Sequence, residues 1–175
     1  AGTLKGATEG TALKVAEALK AASAAAYLSV LKPIEGTILT VVRESADAAH
    51  AAAERGESLV GVLRAARNAG KSALDRTPEM LAVLKDAGVV DAGGAGFLLL
   101  LDAALNVVDG VPIPDPEEFE GPTEQQLEAA AHRHTQGGGV DVSELQYEVM
   151  YFMDLEDTKI QPFKENWGEI GDSVV

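Results

Sequence analysis

The chain has 175 residues, 46% of them hydrophobic, enough to bury a core in one ordinary domain or one domain plus a fragment. It has no cysteine, which excludes disulfides and thiolate metal sites; no apolar run of membrane-span length and no basic apolar leader is legible, so the default reading is cytoplasmic. The formal net charge of −14 is carried almost wholly by the C-terminal part: 11 Lys and Arg face 12 Asp and Glu up to residue 108, and 3 face 16 beyond it.

Such an acidic half repels nucleic acid and anionic lipid, and it reads more simply as a solvated linker than as a docking site.

In chain order, residues 9–31 read as a helix with Val15, Leu19, Ala22, Ala26 and Val30 inward, ended by Lys32-Pro33. A second helix is expected from about Gly36 to Arg55, stopped by Gly56, and a third from about Ser58 to Leu74. Thr77-Pro78-Glu79 has the pattern of a helix start, with a hydroxyl cap, a first-turn proline and an early acid; that helix would end near Gly88. The fifth begins after Gly94, with Phe97, Leu100, Leu101, Ala104, Leu105 and Val108 inward. Short links between five helices predict antiparallel neighbours in an all-α bundle, with no strand before residue 110.

Residues 110–122 interleave four prolines with acids and predict an extended arm. Thr123 to Gln126 fits a capping box and a short helix to about Thr135, broken by Gly137-Gly138-Gly139. Residues 145–153 read as a strand, 158–167 as a helix, and Gly171 to Val175 as the entry to a second strand. A β–α–β opening cannot bury its faces alone, so the chain reads as a fragment of a longer protein.

The stretch with most chemistry is Gly88-Val-Val-Asp91-Ala-Gly93-Gly94-Ala-Gly96. Glycines before a helix leave bare N–H groups at the positive end of its dipole, where an anion or phosphate can bind. The other reading of the same glycines is a tight connection that lets helices pack closely. Glu35-Gly36-Thr37-Ile38-Leu39-Thr40 is a second such start, in which the Thr37 and Thr40 hydroxyls either cap the helix or touch a ligand. Arg64, Arg67, Lys71 and Arg76 form a basic group that reads as a solvated face balancing nearby acids. His132 and His134 lack an evident third metal ligand, and His50 lies in an Ala-rich helix as a surface or boundary residue.

Three segments together, residues 32–41, 77–79 and 87–94, resemble the DhaL-like domain, also called the Dak phosphatase or dihydroxyacetone kinase L-subunit domain. The branch they are most similar to is that of the bacterial fatty acid kinase A subunit. Tyr147 to Phe152 and Gly171 to Val174 resemble the opening of that subunit's middle domain. The resemblance implies a mainly α fold: an up-and-down helical barrel, incomplete here, over residues 1–109. An acidic linker over 110–140 and the beginning of an α/β domain over 141–175 would follow. It implies ATP or ADP with Mg at one rim, with Gly36, Thr37, Arg76, Thr77, Asp91, Gly93 and Gly94 at the nucleotide. The family's Asp-x-Asp metal motif and its Gly-rich phosphate loop are not in this sequence and should precede Ala1, so no metal ligand is assigned within it. A middle-domain cysteine of some relatives is replaced near Glu148, which puts metal binding there in doubt. The implied partners are nucleotide and a fatty-acid carrier protein, with no nucleic acid and no membrane span; a homodimer is left open. Dihydroxyacetone as phosphoryl acceptor, or a non-catalytic helical docking module, are the alternatives.

Overall fold

The structure, a computed structural model, describes residues 4–6, 9–115, 123, 149–150 and 152–168. Six helices occur among these: α1 (Ala12–Ser29), α2 (Ile38–Glu54), α3 (Leu59–Met80), α4 (Ala82–Ala87), α5 (Ala92–Asp109) and α6 (Asp157–Trp167). No strand occurs among the described residues. Cross-helix pairs establish the directions. Lys20 meets Asp47 and Tyr27 meets Arg43, so α1 and α2 are antiparallel. Arg67 meets Asp102 and Arg64 meets Asp109, so α3 and α5 are antiparallel. The centre of the bundle is α2, packed on α1, α3 and α5.

The helices start where short polar side chains can take up orphan N–H groups. Thr11, Thr37, Ser58 and Asp91 are the N-caps of α1, α2, α3 and α5, and each accepts a backbone N–H from the first turn. The core between them is built of Val41, Val62, Leu63, Leu74, Leu98, Leu101 and Leu105, with alanines at the closest approaches. Gly70 permits one such approach, since a Cβ there would overlap Ser45 Oγ and lie 2.7 Å from Leu98 Cδ2.

The expected all-helical bundle is present, and four details differ. Thr77-Pro78 does not start a helix; both lie inside α3, which runs on to Met80. Pro78 has no N–H for the Leu74 carbonyl, but the Thr77 hydroxyl donates to that oxygen at 2.7 Å, so the proline is accommodated. Next, α5 begins at Ala92, not after Gly94, because Asp91 caps it; Gly93 and Gly94 form its first turn. Leu100 and Val108 are exposed, whereas Leu98 and Asp102 are buried. A helix carrying Leu98 to Leu101 in a row is apolar on every side, so periodicity could not choose its inner face. The same degeneracy affects α1, where alanine fills every face: Ala22 is exposed, and Ala16 and Ser23 are buried instead.

By length and composition α5 also meets the criterion for a membrane span, contrary to the sequence expectation. Within this bundle its inner face contributes to the core and holds Asp102 against Arg67. Residues 110–115 are non-helical and α6 lies where expected. Of the expected strand at 145–153, residues 149, 150, 152 and 153 are described and carry no strand. The remainder of that strand, residues 116–122 and 124–135, Gly137 to Gly139, His132, His134, Tyr147, Glu148 and 171–175 lie outside the described residues.

Candidate functional site

At one end of the bundle the α1–α2 loop, the C-terminal turn of α3 and the start of α5 meet. Gly36 adopts a left-handed φ of +83°, and a Cβ there would lie 2.8 Å from Met80 Cβ and 3.1 Å from the Thr77 carbonyl oxygen. Only glycine satisfies both the backbone and the space. The buried Thr77 hydroxyl, besides donating to Leu74 O, accepts the Asp91 N–H at 3.1 Å. Asp91 Oδ2 in turn accepts the Gly94 N–H at 2.7 Å. Loop, helix end and helix start are thus tied in sequence from Gly36 to Gly94.

The loop is anchored on its outer side by Glu35. Tyr27 Oη donates to Glu35 Oε1 at 2.8 Å, while Thr40 Oγ1 and Arg43 Nη2 donate to Oε2 at 2.5 and 2.9 Å. These partners hold the Glu35 carboxyl below its ordinary range, the Thr40 hydrogen bond contributing most and burial opposing it. Burial pushes the Tyr27 phenol up, and its hydrogen bond with Glu35 adds to that. Arg43 is held more firmly protonated, first by its bond to Tyr27 and then by Glu35.

Of the residues singled out in the sequence, Gly36, Thr37, Thr77, Asp91, Gly93 and Gly94 come together at this rim. Arg76 does not join them: its guanidinium is held along the bundle by Glu44 at 2.5 Å and by the Ser72 carbonyl. Arg64, Arg67 and Lys71 are paired with Asp109, Asp102 and Asp75. Thr37 acts as cap, accepting Leu39 N–H and donating to Ile34 O. Gly94 is a packing glycine, since its Cβ would fall 2.7 Å from Val41 Cγ2. Gly93 is exposed, and a Cβ there would lie 3.2 Å from Ile38 Cβ; its φ is not positive, so no backbone constraint singles it out.

The first two residues of α5, Ala92 and Gly93, present N–H groups that no intrahelical carbonyl can accept. Both residues are exposed. These donors suit a phosphate or other anion, sharing the helix terminus with the Asp91 carboxylate. A metal is a different matter: no group of three or more His, Asp or Glu able to hold one occurs among the described residues. Sequence reasoning passed over Tyr27 and Arg43 altogether, because side chains from two helices meet on a loop residue without any periodic spacing. The five-residue step from Glu35 to Thr40 across an N-cap is the one local signal that pointed there.

A small helical bundle in which the capped starts of α2 and α5 meet the end of α3 at one rim is consistent with a kinase-related, dihydroxyacetone-kinase-L-like domain. Residues 1–106 match the family model of the DAK2 domain, and the chain belongs to that family. In dihydroxyacetone kinases this domain binds nucleotide. The chain is similar to Protein YloV of Bacillus subtilis, at 32% identity over 94% of this chain and 30% of the relative. It is also similar to uncharacterised proteins of Staphylococcus epidermidis (30% identity, 98% of this chain, 32% of the relative) and Staphylococcus aureus (37%, 60% and 20%). The chain therefore spans about a third of the length of the longest-matched curated relatives.

Proposed function

We propose that the chain supplies one nucleotide-facing rim of an ATP-dependent kinase subunit, in which residues 1–109 are part of the DAK2 domain. Residues 110–140 act as its acidic linker and 141–175 open an α/β middle domain. The whole protein would transfer the γ-phosphoryl group of ATP to the carboxylate of a fatty acid presented by a carrier protein, giving an acyl phosphate. The observation that supports this best is the convergence of three sequence-distant segments, around Gly36, Thr77 and Asp91, on one end of the bundle. Ala92 and Gly93 would offer N–H donors to a phosphate, and Asp91 would hold their helix start in place. Magnesium, when bound, neutralises charge developing on the transferred group, and its carboxylates are expected outside this chain.

One observation favours a docking role as a second reading: Leu100 and Val107, seven residues apart on one face of α5, are exposed apolar side chains lining a shared groove. Calorimetric titration of Mg-ADP into the full-length protein separates the two. Binding, followed by ATP turnover with carrier-bound fatty acid and not with dihydroxyacetone, is the expected result. The 175-residue chain alone should show no turnover. Absence of nucleotide binding by the full-length protein would leave the docking reading.

A further inference from the structure

We propose that Glu35 is a positioning residue for the rim, setting the Gly36–Thr37 backbone against which nucleotide seats by fixing the hydroxyl of Thr40. The proposal rests on the nucleotide reading above. A helical threonine hydroxyl ordinarily donates to the carbonyl three or four residues back. Thr40 does otherwise: it donates to the side chain of Glu35, at Oε2, and in that rotamer its oxygen accepts the Gly36 N–H at 2.8 Å. By accepting that O–H, Glu35 holds the Thr40 rotamer in which the hydroxyl oxygen faces the Gly36 amide. Gly36 has no slack, because it lies in the left-handed region with Thr77, Met80 and Leu81 at closest approach. What holds Gly36 also holds the end of α3, and Thr77 there carries the Asp91 amide.

Glu35 is itself half exposed, yet it is fixed from two helices, by Tyr27 of α1 and by Thr40 and Arg43 of α2. With Arg43 compensating its charge, the carboxylate acts through its neighbours and is not a phosphate ligand. The other ion pairs of the bundle lie along its length, as in Arg67–Asp102 and Lys20–Asp47, or away from the rim, as in Arg64–Asp109.

The test compares Glu35→Ala, Glu35→Gln and the control Asp109→Asn in the full-length protein, reading Mg-ADP affinity, melting temperature and exchange of the Gly36 amide. Glu35→Ala should weaken Mg-ADP at least tenfold and speed Gly36 exchange about as much. Glu35→Gln keeps an acceptor for Thr40 and should lose affinity by about threefold, roughly 0.6 kcal/mol. Asp109→Asn, which also loses an ion pair, should match wild type in affinity and in Gly36 exchange. If Glu35→Ala fails to fold, Glu35→Gln carries the comparison. Wild-type affinity in the Glu35 variants, or an unchanged Gly36 amide, overturns the proposal. Failure of the wild-type protein to bind Mg-ADP overturns the nucleotide reading first, and this role with it.

Discussion

The two ends of the bundle are built on different principles. At the rim, Glu35, Thr40, Gly36, Thr77, Asp91 and Gly94 are linked by directional hydrogen bonds and by a glycine with no room for a Cβ. At the far end, Val15, Leu59, Leu63, Leu100 and Val107 line an open apolar groove of about 510 Å³ with almost no polar atoms. Apolar contact is non-directional and tolerates rearrangement, whereas a hydrogen-bonded loop has one arrangement. The end with one arrangement is the end suited to holding a small polar ligand.

Two glycines put this contrast to its sharpest test. Gly36 and Gly56 share a left-handed φ, +83° and +76°, and lie at opposite ends of α2. A Cβ at Gly56 meets nothing within 4 Å, while one at Gly36 meets Met80 and Leu81 side chains and the Thr77 carbonyl. Gly56→Ala should cost only backbone strain, about 1 kcal/mol. Gly36→Ala adds overpacking and should cost about 3 kcal/mol in urea denaturation. Equal losses would show that the rim is as yielding as the far end.

Thr77→Val comes next in size. It removes the partner of two backbone groups in a fully buried position and should cost about 2 kcal/mol. Thr11→Val, which removes the N-cap bond of α1 at the far end, should cost about 1 kcal/mol.

What was legible in the sequence were the features that act locally. Gly56 and Gly88 end helices with positive φ, and Thr37 carries a short oxygen that caps the next turn. These dictate where helices begin and end without reference to the rest of the chain. The misreadings involve a side chain that serves a backbone group in an unexpected way, as Thr77 and Asp91 do, a partner distant in sequence, or a degenerate pattern. Pro78 reads as a helix start unless it is known that Thr77 serves the Leu74 carbonyl. Leu100 reads as core because α5 is apolar all round, and its inner face is chosen by Val41, Leu74 and the Arg67–Asp102 pair. Gly93 and Gly94 read as equivalent ligand-loop glycines, but Gly94 is used up by packing on Val41. Glu35 needed Tyr27 and Arg43 to be brought to it by the antiparallel packing of α1 on α2.

A smaller effect concerns pH. Because the folded Glu35 carboxyl titrates below its ordinary value of 4.5, its contribution to stability is present above that value and is lost as pH falls through the folded one. Acid titration of the melting temperature should therefore fall less steeply below pH 4.5 in Glu35→Gln than in wild type; parallel curves would remove the rim anchor. Smallest of all, Leu100→Ser in the far groove should change stability by less than about 0.5 kcal/mol, since that side chain is already 65% exposed.

The central claim, that the hydrogen-bonded rim is the nucleotide end, is tested most directly by amide exchange of the full-length protein with and without Mg-ADP. Added protection is expected at Gly36 to Ile38, at Thr77 and at Asp91 to Gly94, with Leu59, Leu63 and Val107 unchanged. Protection confined to the far groove, or none at the rim when nucleotide is demonstrably bound, would contradict it.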